Sequence, residues 1–125
     1  MVIDPSAILA ILQDEPEPGP FINALAAAHD CLISARSLVE LAIAMEARSG
    51  VVGLQDLVLV VAGIATVPVD AAQELLASLA FQRFSQGCHP SGLNAEACLS
   101  NALATSRREP CCSRATISTS LPWPR

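Results

Sequence analysis

Short apolar runs alternate with longer segments of helical spacing along the chain. Met1-Val2-Ile3 is an apolar run closed by Asp4, and Ile8, Leu9, Ile11 and Leu12 follow at helical spacing. That pattern predicts a strand and then a helix. Pro16, Pro18, Gly19 and Pro20 break the chain, and Phe21–Ala28 predicts a second short helix. Cys31-Leu32-Ile33 is a second short apolar run. Ser37 with Glu40 three residues on has the form of a capping box, opening a helix to about Arg48 that Gly50 stops. Leu54–Ala62 reads as a further apolar helix ending at Gly63, and Ile64–Val69 as a third strand. Asp70 caps a helix through about Phe84, with Glu74 in its first turns. Gly87–Gly92 reads as a loop, and Leu93 to about Ser106 as the last helix.

Strands and helices in alternation predict an α/β layer architecture with a parallel central sheet. The strands are apolar runs rather than alternating ones, which fits a sheet covered on both faces. No internal repeat and neither glycine-rich phosphate motif, GxGxxG or GxxxxGK[ST], occurs.

Composition narrows the picture. The chain has 125 residues, 52% hydrophobic and 15% charged, with a formal net charge of -5. All the basic side chains are Arg. A nonspecific nucleic-acid coat built on net positive charge is therefore excluded, although acids that hold divalent cations remain a route to nucleic acid. All twelve acids lie between Asp4 and Glu109, whereas residues 110–125 carry two Arg and no acid. The sequence thus divides into a body, residues 1–110, and an atypical tail, residues 111–125, expected to be disordered. The N-terminus lacks a basic leader region, and the most apolar stretch, Leu57–Val67, falls short of the roughly 20 residues a membrane span takes. No membrane role is expected, and the five cysteines read as reduced thiols of a cytoplasmic protein. Cys88-His89 with Cys98, Cys111 and Cys112 lacks the CxxC pairs of structural zinc sites.

Two acids stand out. Asp4 follows the first strand, where ligands bind in parallel sheets, and it is equally a good N-cap before Pro5. Glu40 is the only charged residue between Ser37 and Met45. It pairs with Arg36 four residues earlier, completes the capping box, or points into a metal site. Glu46, Asp56 and Glu74 read as solvent-facing, and His89 as a turn residue. Glu96 lies in the first turn of the last helix, where an acid suits the dipole.

The series as a whole resembles a known family. Met1–Leu12 followed by Asp14-Glu15-Pro16-Glu17, then Leu32–Ala35 leading into Leu38–Ala42 and Glu46–Arg48, resemble PIN-domain ribonucleases of the VapC toxin type. Val67–Asp70, Arg83-Phe84, Gly87, His89-Pro90, Gly92–Asn94, Cys98 and Ala102–Ala104 continue the likeness in order to about residue 110. The resemblance implies a three-layer α/β/α fold with a short parallel central sheet. It implies a toxin component of a toxin–antitoxin pair, a Mg2+- or Mn2+-dependent endoribonuclease whose acids hold the metal against an RNA phosphate. By position Asp4 is the first metal-site acid and Glu40 the second, and Ser6 supports Asp4. It further implies a cognate antitoxin, an RNA substrate and a homodimer.

Three departures bear on that reading. Position 5 is Pro, which removes a backbone donor at the mouth of the site. Ala97 stands where the family has a third acid, leaving Glu96, one residue away, as a weak metal candidate. The closing strand and final acidic segment are not recognisable after Pro110, so the last strands are expected to be lost or altered and Met1–Ile3 to become an open edge. Thr116-Ile117-Ser118 is the remaining strand candidate. With G/C-rich codons chosen among synonyms, a one-base shift can turn the tail into a Leu-Leu-Phe-Glu-Gly-Asp-Asp-Phe run, which marks it as a frameshift candidate that the gene's nucleotide sequence decides. These departures predict an impaired ribonuclease, or an inactive relative that acts only by binding an antitoxin or itself. A phosphatase or nucleotide-binding domain using Asp4 is a third reading, without a phosphate loop to support it.

Overall fold

The computed structural model describes residues 1–12, 19–84, 94–113 and 117–118. Five strands and six helices are β1 (Val2–Ile3), α1 (Pro5–Leu12), α2 (Gly19–Ala27), β2 (Cys31–Ser34), α3 (Ala35–Ser49), α4 (Leu54–Ala62), β3 (Ile64–Val67), α5 (Ala71–Phe84), α6 (Ala95–Arg107), β4 (Cys111–Cys112) and β5 (Ile117–Ser118). The predicted loop 87–92, with His89, and the break at 16–18 lie outside the described residues.

The sheet order is β3-β2-β1-β4-β5. β3, β2, β1 and β4 run parallel, and β5 returns antiparallel to β4. β1 is therefore central, which corrects the expectation of an open edge there. Val2 N–H donates to Pro110 O at 2.8 Å, and Asp4 N–H to Cys112 O at 2.9 Å. The closing strands are present, at two residues each, rather than lost. Cys111 and Cys112 serve as small apolar residues, a common use of free cysteine, and Cys112 is fully buried.

Alternate residues of β1 face opposite layers. Ile3 packs with Ile8, Cys31, Ile33, Leu41, Met45 and Cys112 on the side of α1, α3 and α4. Val2 packs with Val67, Leu103 and Ala104 on the side of α6. Covering both faces is what makes the strands continuously apolar. The result is the expected three-layer α/β/α architecture.

Local rules account for most boundaries. Asp70 Oδ1 accepts from Gln73 N–H at 2.8 Å and opens α5. Asn94 Oδ1 accepts from Ala97 N–H at 2.8 Å and opens α6. Gly63 ends α4 at φ 67°, a conformation that glycine adopts without penalty. One expectation fails: α3 starts at Ala35, directly after β2, with Ser34 as its N-cap residue and no side-chain cap bond. Ala35 and Arg36 are good helix formers, so nothing delays the helix until Ser37. Ser37 sits inside the first turn, and the Ser37–Glu40 capping box does not form.

Cys31, Cys98, Cys111 and Cys112 are free thiols. Burial pushes the Cys111 thiol up to about 12 and the Cys112 thiol to about 11, and the nearby Asp4 charge adds to both. A thiol whose pKa is higher folded than unfolded stabilises the fold below its ordinary value, here 9.0, and that contribution is lost as pH rises through the folded value. Melting temperatures are thus expected to decline from about pH 9 towards 11. A Cys111→Ala/Cys112→Ala chain should show a flatter decline over the same range. Equal slopes in the two chains would contradict the burial assigned to these thiols.

Candidate active site

The strand order reverses at β1, with β2 on one side and β4 on the other. Open α/β sheets bind ligands outside the carboxyl ends of the strands at such a point. Asp4 occupies it. Its carboxylate is 5% exposed and is held on both oxygens. Oδ2 accepts from Ser6 N–H at 3.1 Å and from Ser6 Oγ at 2.5 Å. Oδ1 accepts from Ser100 Oγ at 2.6 Å. The two readings of Asp4 are compatible, since it receives an amide of the first turn of α1 and still stands at the strand end. Pro5 is buried in the first position of α1, where its missing N–H is an orphan in any case.

Glu40 lies on α3 and is exposed. No ion pair joins it to Arg36 among the described residues, so of its three sequence readings neither the pair nor the capping box forms. Glu46, Asp56 and Glu74 are exposed, in line with their solvent-facing reading.

Glu96 enters the site from the first turn of α6. Burial raises its carboxyl above the usual range. The Ser37 hydroxyl lowers it in part, the charges of Glu40 and Asp4 raise it further, and Arg36 offsets them. Glu96 therefore lies within electrostatic reach of both other acids, although Ala97 occupies the position expected for an acid. Its Oε1 is buried without a hydrogen-bond partner among the described residues, as are Ser34 Oγ and Ser37 Oγ.

Ser100 and Ser37 are the residues that sequence reasoning missed. Ser100 stands four residues after Glu96, and Ser37 three before Glu40, so each shares a helix face with a candidate acid. That spacing was the available signal.

The donors are all oxygen atoms, carboxylates and hydroxyls, which suits a hard divalent cation. Among the described residues no three His, Cys, Asp or Glu side chains stand close enough to share one ion. Mg2+ is commonly held by one or two carboxylates, with water and substrate phosphate completing its shell. Asp4, buried and held on both oxygens at the strand end, is the residue present that fits such a group. No helix among the described residues is long and apolar enough to cross a membrane.

Comparison with known proteins follows the same outline. Residues 1–113 match the family model described as PIN domain. Ribonuclease VapC of Mycolicibacterium smegmatis is 42% identical over 112 residues, covering 88% of this chain and 87% of that one. Ribonuclease VapC28 of Mycobacterium tuberculosis is 41% identical over 114 residues, covering 88% and 85%. Ribonuclease VapC30 of the same species is 39% identical over 112 residues, covering 88% and 86%.

Proposed function

The chain belongs to the PIN-domain family, in its VapC branch, and from that premise we propose that it is a metal-dependent endoribonuclease, the toxin of a toxin–antitoxin pair. The observation that carries the reading is the carboxylate of Asp4, held on both oxygens at the topological switch point. Asp4 and Glu40 would hold the metal. Bound there, Mg2+ or Mn2+ supplies charge to stabilise the phosphate and lowers the pKa of a water that attacks it.

The chain's own residues set the geometry. Ser6 and Ser100 clamp the two oxygens of Asp4, so its carboxylate cannot rotate away from the site. Both hydroxyls donate, so both Asp4 oxygens act as acceptors. Glu40 is exposed on α3. Ala97 removes one carboxylate from the expected cluster, so the rate is lower than in a chain with an acid there. The partners that this reading implies are RNA, a cognate antitoxin protein and a second copy of the chain, in the cytoplasm.

Ala97 also favours a second reading, an inactive relative that acts only by binding its antitoxin or itself. RNA cleavage by the purified chain separates the two. The nuclease reading expects cleavage with Mg2+ or Mn2+ and none after chelation. No cleavage in either metal, by a folded protein, favours the binding-only relative.

A further inference from the structure

The described arginines sort by helix end. Arg48, Arg83 and Arg107 stand in the last turns of α3, α5 and α6, and Arg108 stands at the C-cap of α6. The helix dipole favours a cation at each of these positions. Arg36 is the exception. It lies in the first turn of α3, where the free N–H groups already carry partial positive charge. No acid shares that turn, and no ion pair holds Arg36 among the described residues. Its side chain is exposed. Neither the helix nor a salt bridge accounts for a cation at this position.

The sheet register brings Arg36 to the site. Val2 pairs with Leu32, so Asp4 and Ser34, two residues on, stand level at the carboxyl ends of β1 and β2. Neighbouring strands lie about 4.8 Å apart, and Arg36 follows Ser34 by one short step of helix, so its backbone stands on the order of 10 Å from that of Asp4. Arg48 occupies the opposite end of the same helix, about 18 Å further along its axis. It is the same residue type on the same element, away from the strand ends.

Charge names the ligand. Asp4 at the strand end and Glu40 on α3 are acidic, in a chain whose formal net charge is -5. RNA brings one phosphate per nucleotide, and a polyanion docks where cations meet its phosphates. The guanidinium presents a planar fork of donors that matches two phosphate oxygens, and no described residue occupies that of Arg36. We propose that Arg36 is a substrate-binding residue, whose guanidinium receives a backbone phosphate of the RNA strand as it lies across the site at Asp4. The contact is to the backbone, so it adds affinity and register without base preference. The inference rests on the ribonuclease reading above and adds to it a residue that holds the substrate.

Fluorescence anisotropy of a labelled, mixed-sequence single-stranded RNA with the full chain tests it, with Ca2+ as the divalent cation and over a range of salt concentrations. Arg36→Gln is expected to weaken RNA binding about five- to tenfold. It should also flatten the slope of log affinity against log salt by about 0.7, the share of one phosphate contact on a single strand. Arg36→Lys keeps the charge and loses the fork, so the slope should hold while affinity falls less. Arg48→Gln should bind as the wild type does. In melting curves Arg36→Gln should unfold at or above the wild-type temperature, because a cation opposed by the dipole is gone, and Arg48→Gln slightly below it. An equal loss of RNA affinity in Arg48→Gln overturns the proposal, since net charge alone would then set the binding. A melt of Arg36→Gln well below wild type also overturns it, since Arg36 would then be a structural residue. If the wild-type chain and Arg36→Gln bind RNA with equal affinity and slope, this inference alone falls. If the wild-type chain binds no RNA, it falls together with the ribonuclease reading.

Discussion

Asp4→Asn is expected to fold as the wild type does and to lose metal-dependent RNA cleavage by about 100-fold or more. The substitution keeps the size of the side chain and one acceptor oxygen. Ser6 and Ser100 are hydroxyls and can accept as well as donate, so the amide nitrogen also finds a partner. The stability cost is thus on the order of one hydrogen bond, about 1 kcal/mol. The negative charge is lost outright, and with it a carboxylate that the fold holds on both oxygens. Cleavage rates at saturating Mn2+, with melting curves of both chains, check this. Activity within a few-fold of wild type would remove Asp4 from the chemistry.

Ending the chain at Glu109 is expected to destabilise it by roughly 3–4 kcal/mol and to lower the melting temperature by about 15 °C. The loss has identifiable parts. Val2 N–H and Asp4 N–H lose the acceptors Pro110 O and Cys112 O, at about 1 kcal/mol each. The buried Cys112 side chain leaves the core, at about 1–2 kcal/mol. β1 also becomes an edge strand, and association through it follows. Asp4 directly follows β1, so the same truncation loosens the site. A chain ending at Ser113 keeps both hydrogen bonds and should lie closer to the full-length protein. Equal melting of the Glu109-terminated and full-length chains would show that β4 contributes nothing.

Most of the architecture was legible because strand and helix alternate in short apolar runs, and because Asp70, Gly50 and Gly63 punctuate them by local rules. Ser34 and Ser37 show where that reading stops. Two serines three residues apart both suit an N-cap, and only the register of β2 decides which one ends the strand. In the tail, the strand candidate at Ile117-Ser118 forms β5, but β4 went unread for a different reason. Cys-Cys followed by Ser and Arg carries no strand signal, yet its backbone completes the ladder beside β1. For the site, the place of Asp4 at the strand end was legible from its position, while Glu40, read from position and resemblance, lies exposed on α3. Ser100 and the approach of Glu96 were not legible, since both depend on how α6 packs against the strand ends. The structure sharpened Glu96 most, because its environment names the neighbours that its sequence position did not.

The account stands or falls on whether these acids make a metal-dependent cut in RNA. The direct measurement is a Mn2+ titration of RNA cleavage by the purified full chain, with Asp4→Asn alongside. The predicted result is cleavage that rises with Mn2+, stops on chelation, and is lost in the variant. Cleavage that is indifferent to metal, or equal in the two chains, would contradict it.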